Sequence, residues 1–213
     1  GTDSVSAYNA YLEGLSYEPR CVAFAAPLCI AAYERAVELD PEFAEPWFRL
    51  ASIWQRQMQI TLMHVDLGMN QAQFMERFRS DIARAINYVN NDVDLLKYQA
   101  ELAAVQMRLR DQYGLIQEYL AQRPNDIQAL VDLIDLQSRF DPEAALSSLY
   151  RFMDLRGSDI DATNFVLTSA YRLGDYDSVR SAASRVLIEA PTQPGLLYQA
   201  QRALLWAGEI EEA

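Results

Sequence analysis

Apolar and small residues recur along this chain in a two-part pattern. From Ala44, the run AEPWFRLASIWQ places Trp47, Leu50, Ala51 and Trp54 at relative positions 1, 4, 5 and 8. Just upstream, CIAAYERAVELDP places Cys29, Tyr33, Ala36 and Pro41 at 1, 5, 8 and 13. Spacings of three and four put each set on one helix face. Small residues stand where two helices approach, and bulky ones fill the seam to the next pair. Proline ends the second helix, because it lacks an N–H and restricts the residue before it. The predicted unit is a helix–turn–helix of about 34 residues. A lone pair cannot bury its own apolar face, so such units stack.

Numbered from 1 to 34, the unit is predicted six times: 3–43, 44–92, 93–126, 127–160, 161–193 and an incomplete 194–213. All six are read as one domain. In the first, Gly14 takes the small position 8, and Tyr17 to Pro27 carries about three extra residues. In the second, helix A is expected to run on through Met58, Leu62 and Val65 and to break near Gly68-Met69-Asn70. Helix B then carries Phe74, Phe78, Ile82, Ala85 and Val89, and Asn90-Asn91-Asp92 ends it and caps the next helix. Pro41 and Pro124 lie 83 residues apart, so an insertion falls in this unit. The third unit has Leu96, Ala100, Ala103 and Ile116, with a turn, RLRD, that lacks glycine. The fourth has Leu130, Leu133 and Ile134, then Asp141-Pro142-Glu143 as a helix start. In the fifth, Gly174 supplies a positive φ and Tyr176 packs back over the turn. In the sixth, Leu204, Leu205 and Trp206 are expected to be only partly covered. The expected fold is all-α, a right-handed superhelix of stacked antiparallel helix pairs with about 11 helices.

These motifs resemble the tetratricopeptide repeat, and the resemblance covers residues 3–213. AYNAYLEGL, the loop insertion and AAYERAVELDPEFAEPW resemble repeat regions of bacterial signalling and regulatory proteins. Similar repeats occur in secretion and envelope-assembly proteins. The resemblance implies a scaffold that binds an extended peptide or helix of a partner protein in its concave groove, with no catalysis and no cofactor. Helix A positions 2, 5, 6, 9, 12 and 13 line that groove in the family. Carried over, they are Tyr8 and Tyr11; Glu45, Phe48, Arg49, Ser52 and Arg56; Asp94, Lys97, Tyr98 and Glu101; Gln128, Val131, Asp132, Asp135 and Arg139; and Tyr198 and Arg202. The family's clamp for chaperone tails, with Lys at 5 and Asn at 9, is missing: Phe48 and Ser52 stand there in the second unit. Aromatics and acids around a single lysine suit a basic or amphipathic partner. The alternative is a self-association element, a homodimer through the C-terminal repeat.

Composition narrows the chemistry. An apolar share of 51% over 213 residues is ample for a core. The net charge of −12, with 17 Arg and only Lys97 for lysine, argues against nucleic-acid binding. No run of about 18 apolar residues appears, so no membrane-spanning helix is expected. No signal peptide is visible, but the chain opens on Gly1 rather than Met, and an upstream segment is expected. His64 is the sole histidine and cannot build a zinc site alone. Gly-rich phosphate loops are absent, and no acid–base pair suggests an enzyme. Glu34 and Glu38 share a face and are expected to be solvated or paired. Met58, Met63 and Met69 read as core filler. Cys29 sits at a packing position, as a buried thiol or bridged to Cys21 if the loop folds back. A cytoplasmic setting is favoured, and a periplasmic one if the two are bridged.

Overall fold

The computed structural model describes residues 1–18, 26–59, 67–157, 159–190, 192–206 and 208. Cys21, Leu62, Met63, His64, Val65, Pro191 and Ala213 lie outside the described residues, as does the side chain of Trp206. Among the described residues there are eleven helices and no strand. They are α1 (Val5–Tyr17), α2 (Ala26–Leu39), α3 (Ala44–Gln59), α4 (Gln71–Tyr88), α5 (Asp92–Val105), α6 (Leu109–Gln122), α7 (Ile127–Phe140), α8 (Pro142–Arg156), α9 (Ile160–Leu173), α10 (Tyr176–Glu189) and α11 (Pro194–Trp206). The chain divides into two compact units, Gly1–Leu115 and Ile116–Ala213, with the division inside α6.

Local chemistry sets most helix starts. Ser4, Asp126, Asp141 and Asp175 each accept a backbone N–H three residues on. Asn91 caps α5 by accepting from Val93 and Asp94. Pro142 follows its cap at the first helical position, where its missing N–H costs nothing. Asn70 and Gln73 form a reciprocal capping box at α4, after Gly68 turns the chain with φ +66°.

In the first unit the helices pair as α1 with α2 and α3 with α4. The core holds Tyr33, Leu50, Ala51, Ile53, Trp54, Phe74, Phe78, Ile82 and Ala85, with Met58 and Met69 packed against it. Cys29 is fully buried and disulfide-bonded, which removes the free-thiol alternative for that residue.

A ladder joins α3 to α4. Trp47 and Trp54 stand seven residues apart on α3, and Arg84 and Arg77 seven apart on the antiparallel α4. The Arg84 guanidinium lies 4.4 Å from the Trp47 ring centre, and that of Arg77 lies 6.0 Å from the Trp54 ring. Between them the Trp54 indole N–H donates to Asp81 Oδ2 at 2.8 Å, and Arg84 stands 3.6 Å from Asp81 Oδ1. Burial raises the Asp81 carboxyl above its ordinary range, against the pull of Trp54, Arg84 and Arg77. Glu34 pairs across to Arg77 at 3.8 Å.

In the second unit α7 pairs with α8 and α9 with α10, and α11 packs on α10 and α9. Leu130, Ile134, Leu149, Leu167, Val179, Val186 and Leu204 are buried there. Leu204 is therefore covered by its own unit, contrary to expectation, while Leu205 is 49% exposed. Gly174 holds φ +76° and Tyr176 packs on Tyr171, their ring centres 6.4 Å apart.

Candidate partner-binding face

The first-unit face is built from α1, α3 and α5, at positions one or two residues away from the core positions of those helices. Tyr11 of α1, Arg49 of α3 and Tyr98 of α5 meet there. Arg49 donates to Glu18 Oε1 at 3.0 Å and to the Tyr11 hydroxyl oxygen. The Tyr33 hydroxyl donates to the same Glu18 oxygen at 3.2 Å. Burial alone would lower Arg49, but Glu18 and Tyr11 outweigh it and hold the guanidinium above its ordinary value. Burial pushes the phenols of Tyr11, Tyr33 and Tyr98 up, so all three remain neutral donors. Tyr11 also meets Phe43 edge-on at 5.2 Å and Tyr33 at 5.9 Å.

Phe48 and Tyr98 stack with ring centres 4.3 Å apart and planes 17° apart. Both are buried, at 8% and 4% exposure. The pair lies beneath the half-buried side chains around it and forms the floor of the face. Glu45, Arg49, Ser52, Arg56, Asp94, Lys97 and Glu101 are half-buried and form its walls, and Tyr8 is exposed at its α1 edge. The Ser52 hydroxyl donates back to the Phe48 carbonyl at 3.0 Å. Glu45 Oε1 lies 3.3 Å from the Gly1 ammonium, while Glu45 Oε2 is buried without a partner.

In the second unit the residues carried over from α7 and α11 form separate groups. Val131, Asp132 and Asp135 are half-buried, and Arg139 is exposed. Gln128 donates to Asp132 at 3.1 Å, and Asp135 pairs with Arg172 of α9 at 2.6 Å. Tyr198 is exposed, with the Arg202 guanidinium 5.5 Å from its ring. A cavity of about 40 Å³ between α8, α9 and α10 is large enough for a water and too small for a ligand. Among the described residues no group of His, Cys, Asp and Glu is placed to hold a metal, and no helix is long and apolar enough to cross a membrane.

Sequence reasoning missed Glu18 and Tyr33. Glu18 stands at position 12 of the first unit, a groove position, so its spacing carried the signal. Tyr33 is a helix B seam residue, and only its hydroxyl reaches the face.

Neither a family model nor a curated protein matches the sequence. Solved structures do. PilW, described as a widely conserved type IV pilus biogenesis factor, aligns with a TM-score of 0.68 at 12% identity, over 98% of this chain and 89% of that one. Pseudomonas aeruginosa PilF aligns with a TM-score of 0.62 at 13% identity, over 97% and 86%. YrrB, described as a TPR protein with an unusual peptide-binding site, covers 96% of this chain at 11% identity with a TM-score of 0.42, too low to bear on the reading. The fold is an all-α, tetratricopeptide-like solenoid.

Proposed function

We propose that this chain is a non-catalytic scaffold that docks a peptide or helix of a partner protein on the first-unit face of α1, α3 and α5. The observation that carries this reading is the Tyr11–Arg49–Glu18–Tyr33 network above the Phe48–Tyr98 floor. These side chains already hold one another, so docking would cost little ordering. The likeness in fold to a pilus biogenesis factor and the bridged Cys29 support a setting in envelope assembly, in an oxidising compartment, over one in cytoplasmic signalling.

Panning a peptide-display library over the chain tests the docking. Enriched peptides should lose at least tenfold in affinity on Ser52→Trp, which fills the middle of the face, with the helical melting curve unchanged. Peptides that bind both proteins alike would refute this face as the site. Thiol titration of the unfolded, unreduced protein tests the compartment: no titrating thiol is expected, and two would overturn it.

A second reading, self-association through α11, draws on the exposed Tyr198 and Leu205. It predicts light scattering that rises toward a dimer with concentration, and a strict monomer would end it.

A further inference from the structure

Arg49, Ser52 and Arg56 stand at spacings of three and four on α3, so they share one strip of the first-unit face. Arg49 is held by Glu18 and Tyr11. The Ser52 hydroxyl is turned back to its own helix. Lys97, the cation that α5 brings to the face, is engaged as well. Arg56 differs from all of these. It is half-buried, yet among the described residues no hydrogen bond, ion pair or ring contact engages its guanidinium. Every other half-buried arginine among the described residues has an acid or an aromatic ring against it: beyond Arg49, Arg156 has Asp159, Arg180 has Asp177, Arg185 has Glu189 and Arg202 has Tyr198.

That exception has a physical meaning. Arg56 lies in the last turn of α3, whose carbonyl end favours a cation. The attraction accounts for a charge there but leaves the N–H donors of the guanidinium unused. None of its nitrogens is sealed from solvent without a partner, so they stay within reach of a docked segment. A guanidinium offers its donors as a planar fork that fits a carboxylate through two parallel bonds. Partial burial strengthens such a pair over one on an open surface. The rest of the face confines the acid to that one place. Glu45, Asp94 and Glu101 stand along its walls, and the chain carries a net charge of −12. A run of acids would be repelled. One carboxylate opposite Arg56, in a segment that is neutral or basic elsewhere, meets both conditions.

We infer that Arg56 is the specificity-determining residue of the docking face and pairs with a single aspartate or glutamate side chain of the partner segment. This rests on the docking face proposed above and names the chemistry it reads. Arg49 lies about 10 Å along the same helix. Glu18 already supplies its carboxylate, so it does not compete for the partner's acid.

Selection from a peptide-display library, run in parallel on the full chain and on two charge-reversed variants, tests the pairing. Peptides from the parent should share one Asp or Glu at a fixed register. Arg56→Glu should exchange that acid for Lys or Arg at the same register. Arg79→Glu, the same charge change at an exposed position of α4, should keep the acid. A synthetic parent-selected peptide, read by fluorescence anisotropy, should lose about tenfold in affinity when its acid is replaced by the matching amide. On Arg56→Gln the same replacement should change affinity by less than about twofold, because the pairing is already gone. Circular dichroism of the Arg56 variants should match the parent, and the amide replacement leaves the protein itself unaltered. Parent-selected peptides with no shared acid would overturn the pairing. So would an acid that persists on Arg56→Glu, or an equal switch on Arg79→Glu, which would reduce the effect to overall charge. In each of those cases, peptides blocked by Ser52→Trp would leave the docking face itself standing. Peptides indifferent to Ser52→Trp would overturn the face and the pairing together.

Discussion

A methyl group added to Gly14 would stand 2.3 Å from Cε1 and 2.6 Å from Cδ1 of Tyr33. Gly14 of α1 lies flat against a ring of α2 that is itself fully buried. The backbone of one helix touches the aromatic side chain of the other with nothing between.

Gly14→Ala should therefore destabilise the chain. Alanine gains about 1 kcal/mol of helix propensity over glycine. Overpacking in a closed core costs about 1–3 kcal/mol, and Tyr33 has no free space to move into. The clash should win, by about 1 kcal/mol in urea unfolding. Tyr33→Leu should be less harmful in the Gly14→Ala background than alone, because it removes the struck ring atoms. Additive effects would show that the contact is looser than it is drawn.

Asp81 predicts a pH dependence. Burial raises its folded pKa above the unfolded value. Its contribution to stability is then fully present below the unfolded pKa and is lost as pH rises through the folded one. Asp81→Asn keeps an acceptor for the Trp54 indole and should be slightly more stable than the parent at pH 7, with the difference vanishing in acid. Asp81→Leu leaves that N–H unpaired and should cost about 1–3 kcal/mol at either pH. Thermal melts of the three proteins at pH 4 and pH 7 decide it. A deficit of Asp81→Asn at pH 7 would mean that the Arg84 and Arg77 attractions outweigh burial.

Met107 is a non-glycine residue at φ +57°. Arg108 N–H bonds to the Ala103 carbonyl at 2.9 Å and Met107 N–H to that of Ala104 at 3.0 Å. The turn after α9 repeats this pattern, with Asp175 to Ala170 at 2.9 Å and Gly174 to Tyr171 at 3.1 Å. Both are helix stops that want glycine at the left-handed position. The Met107 side chain is 73% exposed, so little packing is lost on removing it. Met107→Gly should raise stability by about 1 kcal/mol. A drop in the melting temperature would contradict this.

Phe48 and Tyr98 belong to stability before binding. Phe48→Ala should cost about 3 kcal/mol, and Tyr98→Ala added to it should cost less than it does alone, since the ring contact is already gone. Chemical unfolding of the two single variants and the double closes the cycle. Full additivity would deny the stack an energetic role.

Much of the helical layout was legible in the chain. The Trp47–Leu50–Ala51–Trp54 and Cys29–Tyr33–Ala36 spacings mark helix faces, and the caps at Asn91 and Asp141, the latter followed by Pro142 in the first turn, act within three residues of themselves. The small residue at 14 and the aromatic at 33 were legible as well, because a repeat forces the same helix–helix approach each time. Legible in spacing, though overlooked, was Glu18 at a groove position.

Local spacing thus decides where helices start, stop and turn, because capping bonds and helical periodicity reach only a few residues. Tertiary structure alone decided that Phe48 turns down onto Tyr98 fifty residues away, that Arg49 is held by Glu18, and that Asp81 sits between two tryptophan–arginine pairs. Position numbers assign a side chain to a face. Burial on that face depends on the volume of whatever packs opposite, and a residue's own stretch of sequence does not carry that information.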